Sequence, residues 1–456
     1  MALFSRAFLG LYSLAWRAAR PLLRRHARLA DGFAERLLPE GWPSFPPDPG
    51  PCLWLQAASG GEARLVRTLV NALPDLPYLG LPLTLLCTTC TRQGLDILEK
   101  TATDSSLPPG LTLLPRYLPL DIPALMREAV RAARPKAIVL LETELWPGLL
   151  DAAARERVPF LILNARMTPK SLSGYSRLRP FWRERPPAAI LAVSPEDAAR
   201  FAGLFGPAPV ALMPNLKFDH IPRPSAAAPF PDAPPAVALA SVRREEESLL
   251  LPVVRDLFAS SFQGAPLRLI IAPRHMHRVP AWRQLLASAG LPCVLRSSRP
   301  QELPPLLLWD TFGDLPLLYA LADSVFVGGS LAPLGGQNFL EPLAAGVIPC
   351  VGPHIANFHW VGEELFTLRL AVSLSSVRDL APALRAGIAR AAQAAPAWHE
   401  ARLAARREIQ ARFQAWLLPR TGGSLQAAGI LARFAAALEG DGTRPAEDEP
   451  KVGRRP

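Results

Sequence analysis

Lysine is almost missing from this chain. Of its fifty cationic residues five are lysines: Lys100, Lys136, Lys170, Lys217 and Lys451. Where arginine is used almost by default, a lysine inside a motif is a candidate for a specific task. Cysteine is sparse too, with five residues in 456. So few, and an odd number, exclude a disulfide framework and point to reduced thiols. Cys87 and Cys90 form a C-x-x-C, but no second pair completes a zinc set and no thioredoxin-like context surrounds them. Both are expected to be structural. Long hydrophobic runs are also lacking. The apolar N-terminus leaves ten residues between Arg6 and Arg17, about half of the roughly 20 that a bilayer span needs. No small-residue cleavage site precedes the arginines, so a removable signal peptide is not expected. His275 and His277 have no third ligand in sequence, so no metal is expected.

What is present describes a globular α/β protein. Half of the residues are hydrophobic and a fifth are charged, which is outside the disordered range. At 456 residues the chain is too long for one ordinary core, and two domains follow. The net charge of +11 favours anionic partners: nucleic acid, anionic lipid or phosphorylated substrates. Apolar β-branched runs alternate with helical patterns from Pro51 to Val210, and again from Val237 to Val351. This alternation predicts two parallel, doubly wound sheets. A Pro/Ala stretch at 221–235 reads as the linker between them. Two Rossmann-like halves place a cleft at the carboxyl ends of their strands. The expected domains are residues 1–48 as an N-terminal amphipathic region, 49–220, and 236–440 with closing helices. Residues 441–456 form a polar tail expected to be disordered.

The stretch from Asp323 to Gly346 organises the second half. Ser324–Val327 reads as a buried strand, broken at Gly328-Gly329-Ser330, with a second glycine pair at Gly335-Gly336. Asn338 to Ala345 reads as the first turns of a helix carrying Glu341. A strand, a glycine turn and a helix start make a pocket of N–H groups for an anion. Glu341, an acceptor when ionised, suits a ribose hydroxyl pair. A glycine-rich turn that binds nothing reads equally well from this stretch alone.

Other candidates also sit where strands end. Ala58-Ser59-Gly60-Gly61-Glu62 follows the first strand. Glu62 there is either a charge on the helix dipole or a general base. Glu142-Thr143-Glu144-Leu145-Trp146-Pro147 follows the fourth strand with two carboxylates and no obvious local cation. Asn164 to Ser171 forms a polar, cationic loop leading towards Tyr175, and Asn215-Leu216-Lys217-Phe218-Asp219 carries one of the rare lysines. In the second half Pro273-Arg274-His275 offers a guanidinium fork for phosphate or carboxylate. Asp310 to Leu315 offers backbone N–H groups to a nucleotide base. At the N-terminus Arg17, Arg20, Arg24 and Arg28 recur at helical spacing, although Pro21 should kink a shared helix. This reads as an interfacial anchor, with apolar residues in lipid and arginines on headgroups. The competing reading is a buried helix with a solvated basic face.

ASGGE, ETELWP, NARMTPKS, NLKFD, PRH, FGDL, FVGGSL and GGQNFLEP follow one another as they do in the 3-deoxy-D-manno-octulosonic acid (Kdo) transferases. The chain resembles this family over nearly its whole length, the linker and tail excepted. The resemblance implies an inverting, metal- and cofactor-independent GT-B glycosyltransferase, with two Rossmann-like domains facing a cleft and an N-terminal membrane-associated helix. Its donor would be CMP-Kdo and its acceptor a lipid A precursor. Its other partners would be anionic lipids of the inner membrane, at the cytoplasmic face, and no nucleic acid. Matched position by position, Glu62 is the general base. Glu142 and Lys217 stabilise the transition state, with Glu144 as neighbour. Pro273, Arg274, Phe312, Gly313, Asp314, Asn338, Phe339, Leu340 and Glu341 bind CMP. Four positions depart from the family pattern. Gln56 stands for a His, and Ser241-Val242-Arg243 for Ser-Thr-His. Gln337 replaces the His of GGHN, and Phe312-Gly313-Asp314 replaces MGE. Two alternatives stand beside this reading: a GT-B enzyme on another nucleotide sugar, such as a UDP-hexosamine transferase or epimerase, and a peripheral lipid-binding protein with a decayed transferase fold. The presence of Glu62, Glu142, Lys217 and Glu341 speaks against the latter.

Overall fold

The structure, a computed structural model, describes residues 2–26, 29–47, 50–73, 82–105, 107–221, 233–393 and 397–437. The chain forms two compact units. One comprises residues up to His220 together with the chain from Arg420 on, and the other Ile221–Pro419.

The first unit is built on seven parallel strands: β1 (Cys52–Gln56), β2 (Leu83–Thr89), β3 (Leu111–Tyr117), β4 (Ala137–Leu141), β5 (Phe160–Ala165), β6 (Ala189–Ala192) and β7 (Val210–Leu212). Their order is β3-β2-β1-β4-β5-β6-β7. A parallel sheet is covered on both faces, which is why its strands are continuous apolar runs. In β1, Leu53 and Leu55 join the core beneath the helix Gly60–Ala72, while Cys52 and Trp54 join the opposite core with the helices Pro123–Ala133 and Pro147–Arg155. The winding reverses between β1 and β4, and segments leaving these neighbours diverge and leave an opening at their carboxyl ends.

The second unit repeats the plan. Its strands are β8 (Ala236–Val242), β9 (Ser261–Phe262), β10 (Ala265–Pro266), β11 (Arg268–Pro273), β12 (Val294–Leu295), β13 (Leu306–Leu308), β14 (Ser324–Val327), β15 (Pro349–Val351) and β16 (Val372–Ser373). β9 and β10 form a separate small antiparallel pair, and the main sheet runs β12-β13-β11-β8-β14-β15-β16. Here the winding reverses between β8 and β14. The sequence alternation misses β7, β16 and the β9/β10 pair, because two or three residues are too few to display a period.

Two domain boundaries differ from expectation. The C-terminal helix, Gly423–Ala437, belongs to the first unit rather than closing the second. Ala427, Ala428, Leu431 and Ala432 form a small-residue stripe packed into the first core. Asp219 fixes its start by accepting from the Gly422 N–H at 2.7 Å and the Ser424 N–H at 2.6 Å. Residues 1–48 do not stand apart either, since Leu9 and Trp42 are part of the first unit's core. The helix Ala2–Leu23 runs through Pro21 and ends two residues later. Most of the linker and the whole 441–456 tail lie outside the described residues.

Candidate active site

In the first unit the polar candidates meet at the β1/β4 reversal. Ser59 caps the helix Gly60–Ala72, its hydroxyl accepting from the Glu62 N–H. The Glu62 carboxylate turns back, accepting from the Ala58 N–H at 2.5 Å and the Ser59 hydroxyl at 3.1 Å. This is close to a capping box, and it holds Glu62 at the carboxyl end of β1. Beneath the turn, buried Gln56 continues a network in which Trp54 Nε1 donates to Thr88 Oγ1 (2.7 Å) and Thr88 Oγ1 to Gln56 Oε1 (2.5 Å).

The segment after β4 is fixed from several sides. Glu142 has φ +57°, a left-handed conformation that glutamate seldom adopts. Thr143 Oγ1 donates to the Arg166 carbonyl, and Tyr175 Oη to the Thr143 carbonyl at 3.1 Å. Glu144 accepts from Trp146 Nε1 at 2.8 Å. Pro147 opens the next helix, whose Gly148 and Leu149 N–H groups donate to buried Asp121, both at 2.8 Å. Gly148 is required there, because a Cβ would lie 2.7 Å from Asp121 oxygens.

The cation that the sequence around Glu142 lacks comes from far along the chain. Lys217 Nζ lies 2.5 Å from Glu142 Oε1. Its helix, Leu216–Asp219, is seated by Asn164, a buried β5 residue with φ +54° whose Oδ1 accepts from the Leu216 N–H at 2.9 Å. Asn164 is thus a positioning residue in a strand rather than part of a polar loop.

The electrostatics follow from crowding three carboxylates in a half-buried space. Burial, then the charges of Glu144 and Glu142, push the Glu62 carboxyl up to about 8. Glu144 is pushed up to about 7, by burial first, with Glu142 adding and the Trp146 hydrogen bond opposing. Cys90 lies beside them, its thiol raised by burial and by Glu144. The thiols of Cys87 and Cys90 are free.

In the second unit the candidates gather where β8, β11, β13 and β14 end. Arg274 Nε donates to Gln337 Oε1 at 3.0 Å. Asn338 Nδ2 donates to Glu341 Oε1 at 2.9 Å. Asp314 accepts from Trp309 Nε1 at 2.7 Å and from Thr311, which shapes its loop, and Phe312 beside it is 80% exposed. Pro273 is buried at a bulge ending β11, and Gly313 has φ +95°. His275 is held below its ordinary value by burial and then by Arg243 and Arg274, which marks this corner as electropositive.

Three expectations change here. The helix predicted over 338–345 is the single turn Leu340–Ala344, because the glycines and Asn338 hold the chain before it in a loop. The side chains of Phe339 and Leu340 enter the core, so these two can offer a ligand only their backbone. The glycine turn after β14 is no open anion pocket. Glu246 fills it, accepting from the N–H groups of Gly329 (2.7 Å), Ser330 (3.0 Å) and Leu331 (2.9 Å). Glu246 escapes sequence reading because it lies in a Glu-Glu-Glu run that looks like a solvated surface.

Two doubly wound parallel units with their polar residues at strand ends have the architecture of the GT-B glycosyltransferase fold. The Anabaena protein HepE, solved in complex with UDP, shares this fold with a TM-score of 0.51 and 14% identity, over 84% of this chain and 100% of that one. A family model described as 3-deoxy-D-manno-octulosonic-acid transferase (Kdo transferase) matches residues 31–220. The Kdo transferase of Bordetella pertussis is 32% identical over 433 residues, 90% of this chain and 99% of that protein. That of Haemophilus influenzae is 30% identical over 367 residues, 77% and 82% of the two chains. The chain belongs to the Kdo transferase family.

Proposed function

We propose that the enzyme moves Kdo from CMP-Kdo to a hydroxyl of a lipid A precursor, with inversion at the anomeric carbon. The observation that carries this reading is the Glu62 carboxyl, raised towards neutral pH at a strand end beside Glu142, Glu144 and Lys217. A general base works best with a pKa near the operating pH. Glu62 takes the acceptor hydroxyl proton as that oxygen bonds to the anomeric carbon and the bond to the CMP phosphate breaks. Glu142 and Lys217 supply paired charges for the transition state. On the second unit Arg274 faces the phosphate, Phe312 offers its exposed ring to the base, and Asn338 and Glu341 take the ribose hydroxyls. The acceptor is an acylated anion, and the helix Ala2–Leu23 suits a lipid surface such as the cytoplasmic face of the inner membrane.

The test is mass spectrometry of the product formed by purified protein, a CMP-Kdo source and tetraacyl lipid A precursor, paired with titration calorimetry of CMP and UDP. The expected product is acceptor extended by Kdo, with CMP bound in preference to UDP. Preferential UDP binding without Kdo transfer rejects the reading.

A further inference from the structure

We infer that Glu246 is the positioning residue of the donor half, a built-in anion that fills the glycine turn and thereby sets Arg274. The inference rests on the reading of the second unit as the CMP-Kdo side. Glu246 sits at the β8/β14 reversal and is fully buried. Its Oε1 accepts from the Ser330 and Leu331 N–H groups, and its Oε2 from those of Gly329 and Arg243. Four donors use the whole acceptor capacity of a carboxylate. The first glycine of the turn lies against the backbone at the end of β8 and against the same carboxylate. A Cβ at Gly328 would stand 2.9 Å from Glu246 Oε2 and 2.6 Å from the Ser241 carbonyl oxygen. Glycine there admits the close approach of the β8 end, with Val242 Cα at 2.8 Å, as well as the protein's own carboxylate.

From this point a chain of hydrogen bonds reaches the donor candidates. The Gln337 N–H donates to the Gly328 carbonyl at 3.1 Å and the Gly336 N–H to that of Gly329 at 2.7 Å. Gln337 then accepts from Arg274 Nε. The turn that Glu246 locks therefore carries the residue that orients the guanidinium. With the turn's N–H groups taken, the donor phosphate is left to cationic side chains: Arg274, and Arg243, whose backbone N–H bonds the same carboxylate.

The experiment measures CMP affinity by calorimetry in the full chain for Glu246→Ala, Glu246→Gln, Glu246→Asp and Arg274→Ala. Glu246→Ala leaves buried N–H groups unpaired, and CMP affinity falls about tenfold or more. Added acetate enters the vacated turn and recovers part of the loss in Glu246→Ala, while wild type does not respond. Glu246→Gln turns an amide against N–H donors and shows the loss without the rescue. Glu246→Asp, which keeps the carboxylate and gives a folded protein should Glu246→Ala not, raises the donor KM with the acceptor KM unchanged. Wild-type CMP affinity in Glu246→Ala, or a wild-type donor KM in Glu246→Asp, overturns the inference. So does a loss in Glu246→Ala that acetate leaves untouched. Arg274→Ala separates the two claims. If it alone weakens CMP, the donor assignment stands and the role of Glu246 falls. If it binds CMP as wild type does, the donor assignment falls and takes the inference with it.

Discussion

Glu62 stands in the first turn of the helix that Ser59 caps, and it also carries the proton acceptor of the proposed reaction. Its two hydrogen bonds favour the charged form, while burial and the neighbouring carboxylates favour the neutral one, and the second effect prevails. Glu62→Gln keeps the shape and loses the proton acceptance, so turnover should fall by roughly 10²–10⁴ with CMP affinity unchanged. Equal turnover in the variant would remove Glu62 as the base. In wild type kcat/KM should rise with pH along a limb well above the ordinary carboxylate range, since the base acts when ionised. Glu144→Gln removes the largest charge acting on Glu62, and its limb should move to lower pH. Stability runs the other way. A carboxyl whose folded pKa is raised binds more protons folded than unfolded. Its contribution is therefore fully present below the unfolded value and is lost as pH rises through the folded one. Between about pH 5 and 8 the Tm of Glu144→Gln should gain steadily on wild type. A constant gap across that window would mean that Glu144 is not held against its charge.

The strand ends do most of the positioning, and they were partly legible. The long strands showed as apolar runs, and Glu62 and Glu142 stood out because each follows such a run, whereas Lys217 stood out as one of only five lysines. Their company did not show. Lys217 reaches Glu142 through the order β1-β4-β5-β6-β7, and neither partner has a local signal for the other. Asn164 gave the one available hint, since asparagine tolerates the left-handed region. Asp219 closes the NLKFD motif with no task visible in the sequence. It holds the C-terminal helix against the helix bearing Lys217, which periodicity within either segment cannot reveal. Glu246 was hidden for the same reason: an acidic run reads as surface until topology places it at a sheet reversal. The Asp219 contact carries an element-scale prediction. Asp219→Ala removes both acceptors at the start of Gly423–Ala437, at a cost of about 1–2 kcal/mol. Hydrogen exchange within that helix should quicken before the rest of the unit does. Unchanged protection would show that the alanine stripe alone seats the helix.

Across the whole molecule the +11 charge and the N-terminal helix both suit the proposed acceptor, which would be anionic and embedded in lipid. No helix among the described residues is long and apolar enough to cross a membrane. The helix Ala2–Leu23 instead divides into three faces. Ser5, Phe8, Leu9 and Tyr12 pack on the first unit, with Ser5 Oγ donating to Glu184 at 2.6 Å and Tyr12 Oη to Asp121 at 2.9 Å. Leu3, Leu11, Leu14 and Leu22 are 81, 69, 63 and 75% exposed and fall within an arc of roughly 100° at 3.6 residues per turn. Arg6, Arg17 and Arg20 lie between these faces. The packing face ties the helix to the unit that carries Glu62, so the leucine face can meet lipid without freeing the helix. Leu11→Glu with Leu14→Glu should weaken binding to anionic vesicles by about tenfold or more, since each buried leucine is worth about 1 kcal/mol or more at an interface. CMP affinity should not change, and added salt should weaken both proteins by screening the arginines. Transfer to membrane-embedded acceptor should drop further than transfer to detergent-dispersed acceptor. If vesicle binding and the ratio of the two rates both match wild type, the leucine face does not rest in lipid and the arginines alone account for any membrane affinity.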